Sequence, residues 1–333
     1  MKKNSMLFIM ALLTAITLFL TACSSTESAT SSENNTELPE GYPDKPVEFT
    51  IGYEPGGNTD LVGRTAAKFF DSMDMIDQSI TIQNNPGSNG ALATKSVIQK
   101  DDPYTLKVTS NLGEGSFKDG SVDFSDIKPI AAFSLTDVFI AVPGDSPFEN
   151  VEELLEGLKE EPDLTVNVSG GTDGVDAFDW HVLGEEYGIE NFNIVPGGGS
   201  ADTMQALVSG QDDAAFGTPA AMMDYITTED LKLLAVLSEE RSEYFPDVPT
   251  LKEATDLDMT KNRLVGLWAS GNVSDGIVDY WEEKFKELTN TDEWSDFSEE
   301  NKISSHFIGT EEYTDLIEER APDYREYIEN LEE

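Results

Sequence analysis

The change of hydrophobic period along this chain constrains its fold more than any other feature. Short apolar runs of strand length alternate with stretches of helical spacing. Residues 46–53, 80–82, 105–109, 138–142, 164–168, 192–195, 214–217, 231–237 and 264–269 read as strands. Residues 60–73 read as a helix whose Leu61, Thr65, Phe69 and Met73 share one face, and 148–160 as another, capped by Ser146 ahead of Pro147. Ser200 caps a short helix that stops at Gly210, and after residue 269 the pattern is helical and acidic. Such alternation implies an α/β fold of mostly parallel sheets flanked by helices. In these sheets ligands bind beyond the carboxyl ends of the strands.

Three glycine-bearing turns fall at that place, each between a strand and a helix. They are Glu54-Pro55-Gly56-Gly57-Asn58-Thr59-Asp60, Ser169-Gly170-Gly171-Thr172-Asp173-Gly174 and Pro196-Gly197-Gly198-Gly199-Ser200. Glycine lets the backbone approach a ligand closely. The helix start that follows offers N–H groups and a positive dipole end, which together favour an anion. One such turn is common in any α/β protein. Three of them, with no catalytic set, favour a binding protein.

The first residues indicate where the chain works. Met1-Lys2-Lys3, an uncharged run over 6–20 and then Leu20-Thr21-Ala22-Cys23 form a secretory signal, too short to span a bilayer comfortably. The last four residues resemble the bacterial lipobox, so a signal peptide over 1–22 and a lipid on Cys23 are expected. The alternative is an ordinary signal peptide that happens to hold a cysteine. Lipidation is favoured because Cys23 is the only cysteine and can form no internal disulfide. Residues 24–36 have no large apolar side chain to bury, and 23–41 reads as a flexible tether to the outer face of the cytoplasmic membrane.

Charge and composition remove several function classes. With 65 acidic against 21 basic residues, the surface repels nucleic acid and anionic lipid. The acidic residues are spread along the chain, which reads as a heavily solvated surface. With no second cysteine and only His181 and His306, cysteine nucleophiles and cysteine-rich zinc sites have no support. A serine hydrolase would need one of those histidines as base, and the G-x-S-x-G elbow is missing. Neither a Walker motif, an H-E-x-x-H motif nor a dinucleotide fingerprint is present. Asp173, Asp176 and Asp179 lack the calcium-loop spacing and read as a solvated face. No cofactor, metal or catalytic role is expected.

Tyr42-Pro43-Asp44-Lys45-Pro46, leading to Pro55-Gly56-Gly57-Asn58-Thr59-Asp60 and then Arg64, resembles the opening of the tripartite tricarboxylate transporter receptors, also called Bug-type receptors. Asn84-Asn85-Pro86-Gly87-Ser88-Asn89-Gly90 looks like their second glycine loop, and Tyr104-Thr105-Leu106 like their next strand. Ser146-Pro147-Phe148 with Val151-Glu152-Glu153-Leu154, Gly210-Gln211-Asp212, Pro246-Asp247-Val248-Pro249-Thr250 with Glu253, and Trp268 are similar to later motifs. The order and spacing of these motifs cover essentially the whole folded region.

The resemblance implies a two-lobed, type II periplasmic-binding fold with two crossovers, lobe 1 from 42–143 and 240–333, and lobe 2 from 144–239. It implies a small carboxylate ligand held in the cleft largely by loop amides, and integral membrane transporter subunits as partners; a monomer is expected. Carried onto this chain, the ligand-binding candidates are Tyr53, Gly56, Gly57, Asn58, Thr59 and Asp60 in the first lobe. In the second they are Gly170, Gly171, Thr172, Asp173, Gly198, Gly199 and Ser200. Asn111 and Thr218, at strand ends, are weaker candidates. A receptor for an amino acid or other amphoteric carboxylate, serving another transporter or a sensor kinase, is the alternative. An exported hydrolase built on His181 is a distant one; as a packed helix residue, His181 fits structure better.

The chain also departs from the family pattern. Glu54 stands where a small or apolar residue is usual, Gln83-Asn84-Asn85 replaces Glu-Asn-Arg, and Pro196-Gly197-Gly198 replaces Tyr-Lys-Gly. A positive charge has gone and a negative one has appeared near the expected anion site. Either Glu54 points away or the ligand carries an amine. Asp60 and Arg64, four residues apart, form either an exposed ion pair or a functional pair in which Asp60 orders the first loop or binds a ligand hydroxyl or amine.

Overall fold

The structure, a computed structural model, describes residues 37–110, 116, 117, 120–169 and 171–332. The signal peptide, Cys23, most of the tether, Asn111 and Gly170 lie outside the described residues.

Strands form where the apolar runs lie. β1 (Val47–Ile51), β2 (Ile80–Asn84), β3 (Thr105–Ser110), β4 (Ile127–Asp137) and β10 (Asn262–Ser270) make one sheet, ordered β2-β1-β3-β10-β4. β5 (Phe139–Pro143), β6 (Thr165–Ser169), β7 (Asn193–Gly197), β8 (Ala214–Gly217) and β9 (Leu231–Val236) make the other, ordered β7-β6-β8-β5-β9. Helices flank both sheets. They are α1 (Asn58–Ser72), α2 (Ala91–Lys100), α3 (Val151–Glu160), α4 (Val175–Tyr187), α5 (Ser200–Val208), α6 (Pro219–Thr227), α7 (Leu251–Thr255), α8 (Asp275–Thr289), α9 (Asp292–Asn301) and α10 (Thr310–Glu332).

In each sheet one strand runs against the other four. β10 pairs antiparallel with β3 and β4, and β5 with β8 and β9, while β1 and β6 pair in parallel with their neighbours. The reversed strand is the one that follows each crossing. β4 ends at Asp137 and β5 begins at Phe139, opposite Gly217 at the end of β8. β10 likewise begins opposite Asp137. A strand entering a sheet where its neighbours finish must run backwards. The turns after the parallel strands of both sheets therefore gather on the crossing side. There the Leu237 N–H donates to Val138 O at 2.8 Å and the Lys261 N–H to Leu237 O at 2.6 Å, tying the two crossings together.

These pairings move the lobe boundaries. Residues 139–143 belong to the second sheet, because Val138 alone bridges the sheets inside one unbroken apolar run. Within 240–333, Leu251 and Met259 join the core of the second sheet, as do Tyr324, Tyr327 and Ile328 near the chain end. The tether also ends early. Glu37 and Leu38 lie against α8, where a Cβ on Gly276 would come 2.3 Å from Leu38 N.

Three local expectations change for physical reasons. The buried stripe of α1 is Val62, Ala66 and Phe70, not the line through Leu61, which is 36% exposed. Small residues win that face because α1 lies tight on the sheet: a Cβ on Gly63 would sit 3.2 Å from Val108 Cγ1. β4 is absent from the sequence reading because Pro129, Ser134 and Thr136 break its apolar pattern, yet all three are buried. Proline is tolerated there because β4 is the last strand of its sheet. α3 starts at Val151 rather than 148, since Asn150 supplies the cap, its side chain accepting from the Glu153 N–H at 2.9 Å.

Aromatic rings fill the first core. Phe285 stacks on Phe133 at 4.1 Å between centroids, and Trp281 meets Phe49 at 5.5 Å and Phe70 at 5.9 Å. Burying side chains of this size contributes roughly 1.5–3 kcal/mol each, which fixes the scaffold from which the turns project.

Candidate ligand-binding cleft

The first turn is held by Asp60. This carboxylate is 4% exposed. It accepts from the Gly56 N–H at 3.0 Å, from Arg64 Nε at 2.8 and 2.9 Å, and from Asn84 Nδ2 at 2.8 Å. Asn84 also donates to Tyr53 O at 3.0 Å, and Arg64 Nη2 donates to Asn84 Oδ1 at 2.6 Å. Of the roles open to Asp60 in the sequence, loop ordering is the one this geometry supplies. Gly56 takes φ +88°, where an L side chain would be strained. Thr59 is buried, Tyr53 and Asn58 are half-buried, and Gly56, Gly57 and Glu54 are exposed.

Burial alone would raise the Asp60 carboxyl. Hydrogen bonds from Arg64, Asn84 and the Gly56 N–H outweigh that and hold it below the usual carboxylate range. Stabilisation from a depressed carboxyl is complete above the unfolded value, about 3.9, and is lost only as pH falls through the lower folded value. The Gly56 amide is therefore expected to keep its exchange protection from about pH 8 to about pH 5. Loss of that protection near pH 6, followed by NMR, would show that another group orders the turn.

Asp60 is an anion beside a helix start, so its charge matters to any anionic ligand. Arg64 neutralises it from the same helix. α1 begins with Gly57 as a cap that offers no side-chain acceptor, so its first-turn N–H groups remain directed outward. α6 also starts without a side-chain cap, since Thr218 is half-buried at the cap position and makes no capping bond; Pro219 has no N–H and the Ala221 N–H donates to Thr218 O at 3.0 Å, which leaves the Ala220 N–H for a ligand.

These two helix starts meet across one cleft of ≈ 400 Å³. Gly56, Gly57, Asn58 and Leu61 line it from the first lobe, Ala220 and Met223 from α6 of the second, and Glu300, Asn301 and Lys302 from the end of α9. The Asn58 side-chain oxygen is buried and has no hydrogen-bond partner among the described residues. Glu54 does not line the cleft. Sequence reasoning missed the wall formed by Ala220, Met223 and Lys302; the only signal was the cap-and-proline pair Thr218-Pro219.

The second-lobe turns lie elsewhere along the interface. Asn89, from the second glycine loop of the first lobe, donates to Asp173 O at 3.2 Å. The Thr172 and Asp173 carbonyls also accept from Tyr327 and Tyr324. Gly171 adjoins this contact, and a Cβ there would meet Asp173 Oδ1 at 2.4 Å. In the third turn Gly199, not Ser200, is the cap of α5, and Ser200 is its first residue. Gly197 packs against Asn167 and Thr203, while Gly198 and Ser200 are exposed; none of the three lines the cleft.

Asp176 and Asp179 are not a solvated face. They are 5% and 1% exposed. Asp176 pairs with Arg263 of β10 and accepts from Ser169, while Asp179 pairs with Arg320 and lies 3.7 Å from Lys261 Nζ. The cations come from the crossing strand and the last helix, so these pairs join the two halves of the molecule. His181 packs on Tyr327, ring centroids 5.1 Å apart, with Nε2 3.6 Å from Glu185, and does not line the cleft.

Two facing α/β sheets joined by crossing strands, with turns opposed across a cleft, define a solute-binding receptor of the periplasmic type. MatC from Rhodopseudomonas palustris, solved with bound malate, shares the fold at a TM-score of 0.73 and 20% identity, covering 86% of this chain and 100% of that one. A second R. palustris protein, solved with adipate, gives 0.70 at 19% identity, covering 87% and 96%. In sequence, a Cupriavidus necator protein named for the gbd 5'region is 26% identical over 302 residues, 87% of this chain and 88% of its own. The family profile described as tripartite tricarboxylate transporter family receptor (TctC) matches residues 64–332. The chain belongs to that family of extracytoplasmic solute receptors.

Proposed function

We propose that this receptor captures a small organic acid between its two lobes, with one carboxylate bound by the first-turn N–H groups of α1 and the Ala220 N–H at the start of α6. The observation that carries this reading is the meeting of those two uncapped helix starts across the ≈ 400 Å³ cleft. Two positive dipole ends aimed at one cavity favour an anion, and the volume suits a small ligand. The malate and adipate held by the two R. palustris proteins support the same class. Leu61 and Met223 would face the ligand's hydrocarbon part.

The remaining parts of the reading follow from sequence and family. The lobes close on the ligand about the crossings near Val138 and Leu237. The Gly171–Asp173 and Gly198–Ser200 turns add contacts as they close. Lipid on Cys23 holds a monomeric receptor at the outer face of the cytoplasmic membrane, within reach of the integral membrane subunits of a tripartite tricarboxylate-type transporter.

A carboxylate that binds is expected to raise the melting temperature by roughly 4 °C at a hundredfold excess over Kd, the equivalent of about 2.7 kcal/mol. A screen in which a neutral sugar shifts the melt and no carboxylate does would sink the reading. Lys302 sits on the cleft wall, with Nζ 5.0 Å from the Tyr244 ring centroid and no salt bridge among the described residues. Lys302→Glu is expected to weaken binding of a dicarboxylate about tenfold, since one hydrogen bond to a charged group contributes about 1.5–3 kcal/mol. Equal affinity in calorimetry would remove Lys302 from the site. Glu300 beside it supports a second reading, in which the ligand also carries an ammonium group; amino acids in the same screen separate the two.

A further inference from the structure

Besides the two strand crossings, a third segment passes between the sheets. The first half of α10 places Tyr313, Ile317 and Ala321 in a cluster with Phe117, Leu264 and Trp268, on the first sheet. Its second half places Tyr324, Tyr327 and Ile328 in the core of the second sheet, with Val166 and Phe178. Pro322 stands between the halves. Where α10 reaches the second lobe, the Tyr327 hydroxyl donates to Thr172 O at 2.7 Å and the Tyr324 hydroxyl donates to Asp173 O. Phe178 of α4 fixes both rings, with centroids at 5.3 Å from Tyr324 and 5.4 Å from Tyr327.

We infer that the C-terminal helix positions the second-lobe glycine turn for ligand, with Tyr324 and Tyr327 as positioning residues that act through the Thr172 and Asp173 carbonyls. In a planar trans peptide the N–H points opposite to the C=O. Drawing both carbonyls toward α10 therefore directs the N–H groups of Asp173 and Gly174 away from it. The Gly174 N–H closes the turn on Gly171 O at 2.9 Å. Asn89 of the opposite lobe also holds the Asp173 carbonyl, and that contact parts whenever the lobes do. The tyrosines thus keep the turn in one shape while the cleft is open. Burial and the nearby Asp173 push the Tyr327 hydroxyl up to about 12, so it remains a donor at any physiological pH. The consequence for affinity rests on the proposed role of this turn in carboxylate binding; the consequence for the turn itself does not.

The test uses Tyr327→Phe and the double variant with Tyr324→Phe, which keep the rings and remove only the hydroxyls. In the ligand-free protein, NMR exchange of the Gly174 amide is expected to quicken about fivefold in the single variant and more in the double, with α3 amides unchanged. Affinity for whichever of malate or adipate shifts the wild-type melt is expected to fall by a similar factor. Ile140→Val, in the same core but on β5, serves as a control of comparable destabilisation. An unchanged Gly174 amide, or quickening spread evenly over the second lobe as in the control, would overturn the inference. If neither acid binds the wild type but the Gly174 effect appears, the carboxylate reading fails and the positioning role stands.

Discussion

Asp179→Asn is expected to cost the folded protein about 3 kcal/mol, a fall of roughly 5 °C in melting temperature. The Asp179 side chain is 2% exposed and pairs with Arg320, with Lys261 Nζ at 3.7 Å and Arg263 Nη1 at 3.8 Å. Those cations are themselves only 14–17% exposed. Removing the carboxylate takes a buried anion from beside three partly desolvated positive charges, of which Arg263 keeps Asp176. Breaking a buried pair from one side costs far more than an exposed pair contributes. Thermal melts at low salt and at about 1 M salt separate the cases, because screening weakens exposed pairs much more than buried ones. A loss that persists at high salt is expected. A shift below about 1 °C, or one that salt abolishes, would show that these charges are solvated after all.

Asp60→Ala is expected to weaken ligand binding about a hundredfold while lowering the melting temperature only slightly. The carboxylate collects bonds from Gly56, Arg64 and Asn84, each worth about 1.5–3 kcal/mol as a bond to a charged group. Losing the order they impose on the first turn removes about 3 kcal/mol from binding, two powers of ten in Kd. The same change leaves Arg64 without its carboxylate, but Arg64 is exposed at that point and water replaces the partner. Calorimetry against a carboxylate that binds the wild type gives the ratio directly. A Kd within threefold of wild type would mean that the first turn does not hold the ligand.

Much of the architecture was legible because each strand carries its own apolar run. Residues 214–217 and 264–269 declared β8 and β10 through composition alone. β4 did not, since its buried Ser134 and Thr136 look like loop residues until the sheet that covers them is known. The turn after β1 could be found by its glycines, but its cleft partners could not. Met223 and Lys302 are remote in sequence from Asn58, and nothing local marks them as neighbours. Asp176 and Asp179 were misread for the same reason, as their cations lie on β10 and α10. One sign was available: Lys261 and Arg263 alternate at the start of an otherwise apolar strand, so their charges had to meet something.

Whether the two helix starts hold a carboxylate is decided by titration calorimetry with matched acids and amides. Malate and adipate would be compared with their diamides, which keep size and shape but lose the charge. At least one acid is expected to bind with a Kd of about a micromolar, near −8 kcal/mol, and its diamide at least a hundredfold more weakly. A diamide that binds as tightly as its acid, or a neutral sugar that binds where no acid does, would contradict that expectation.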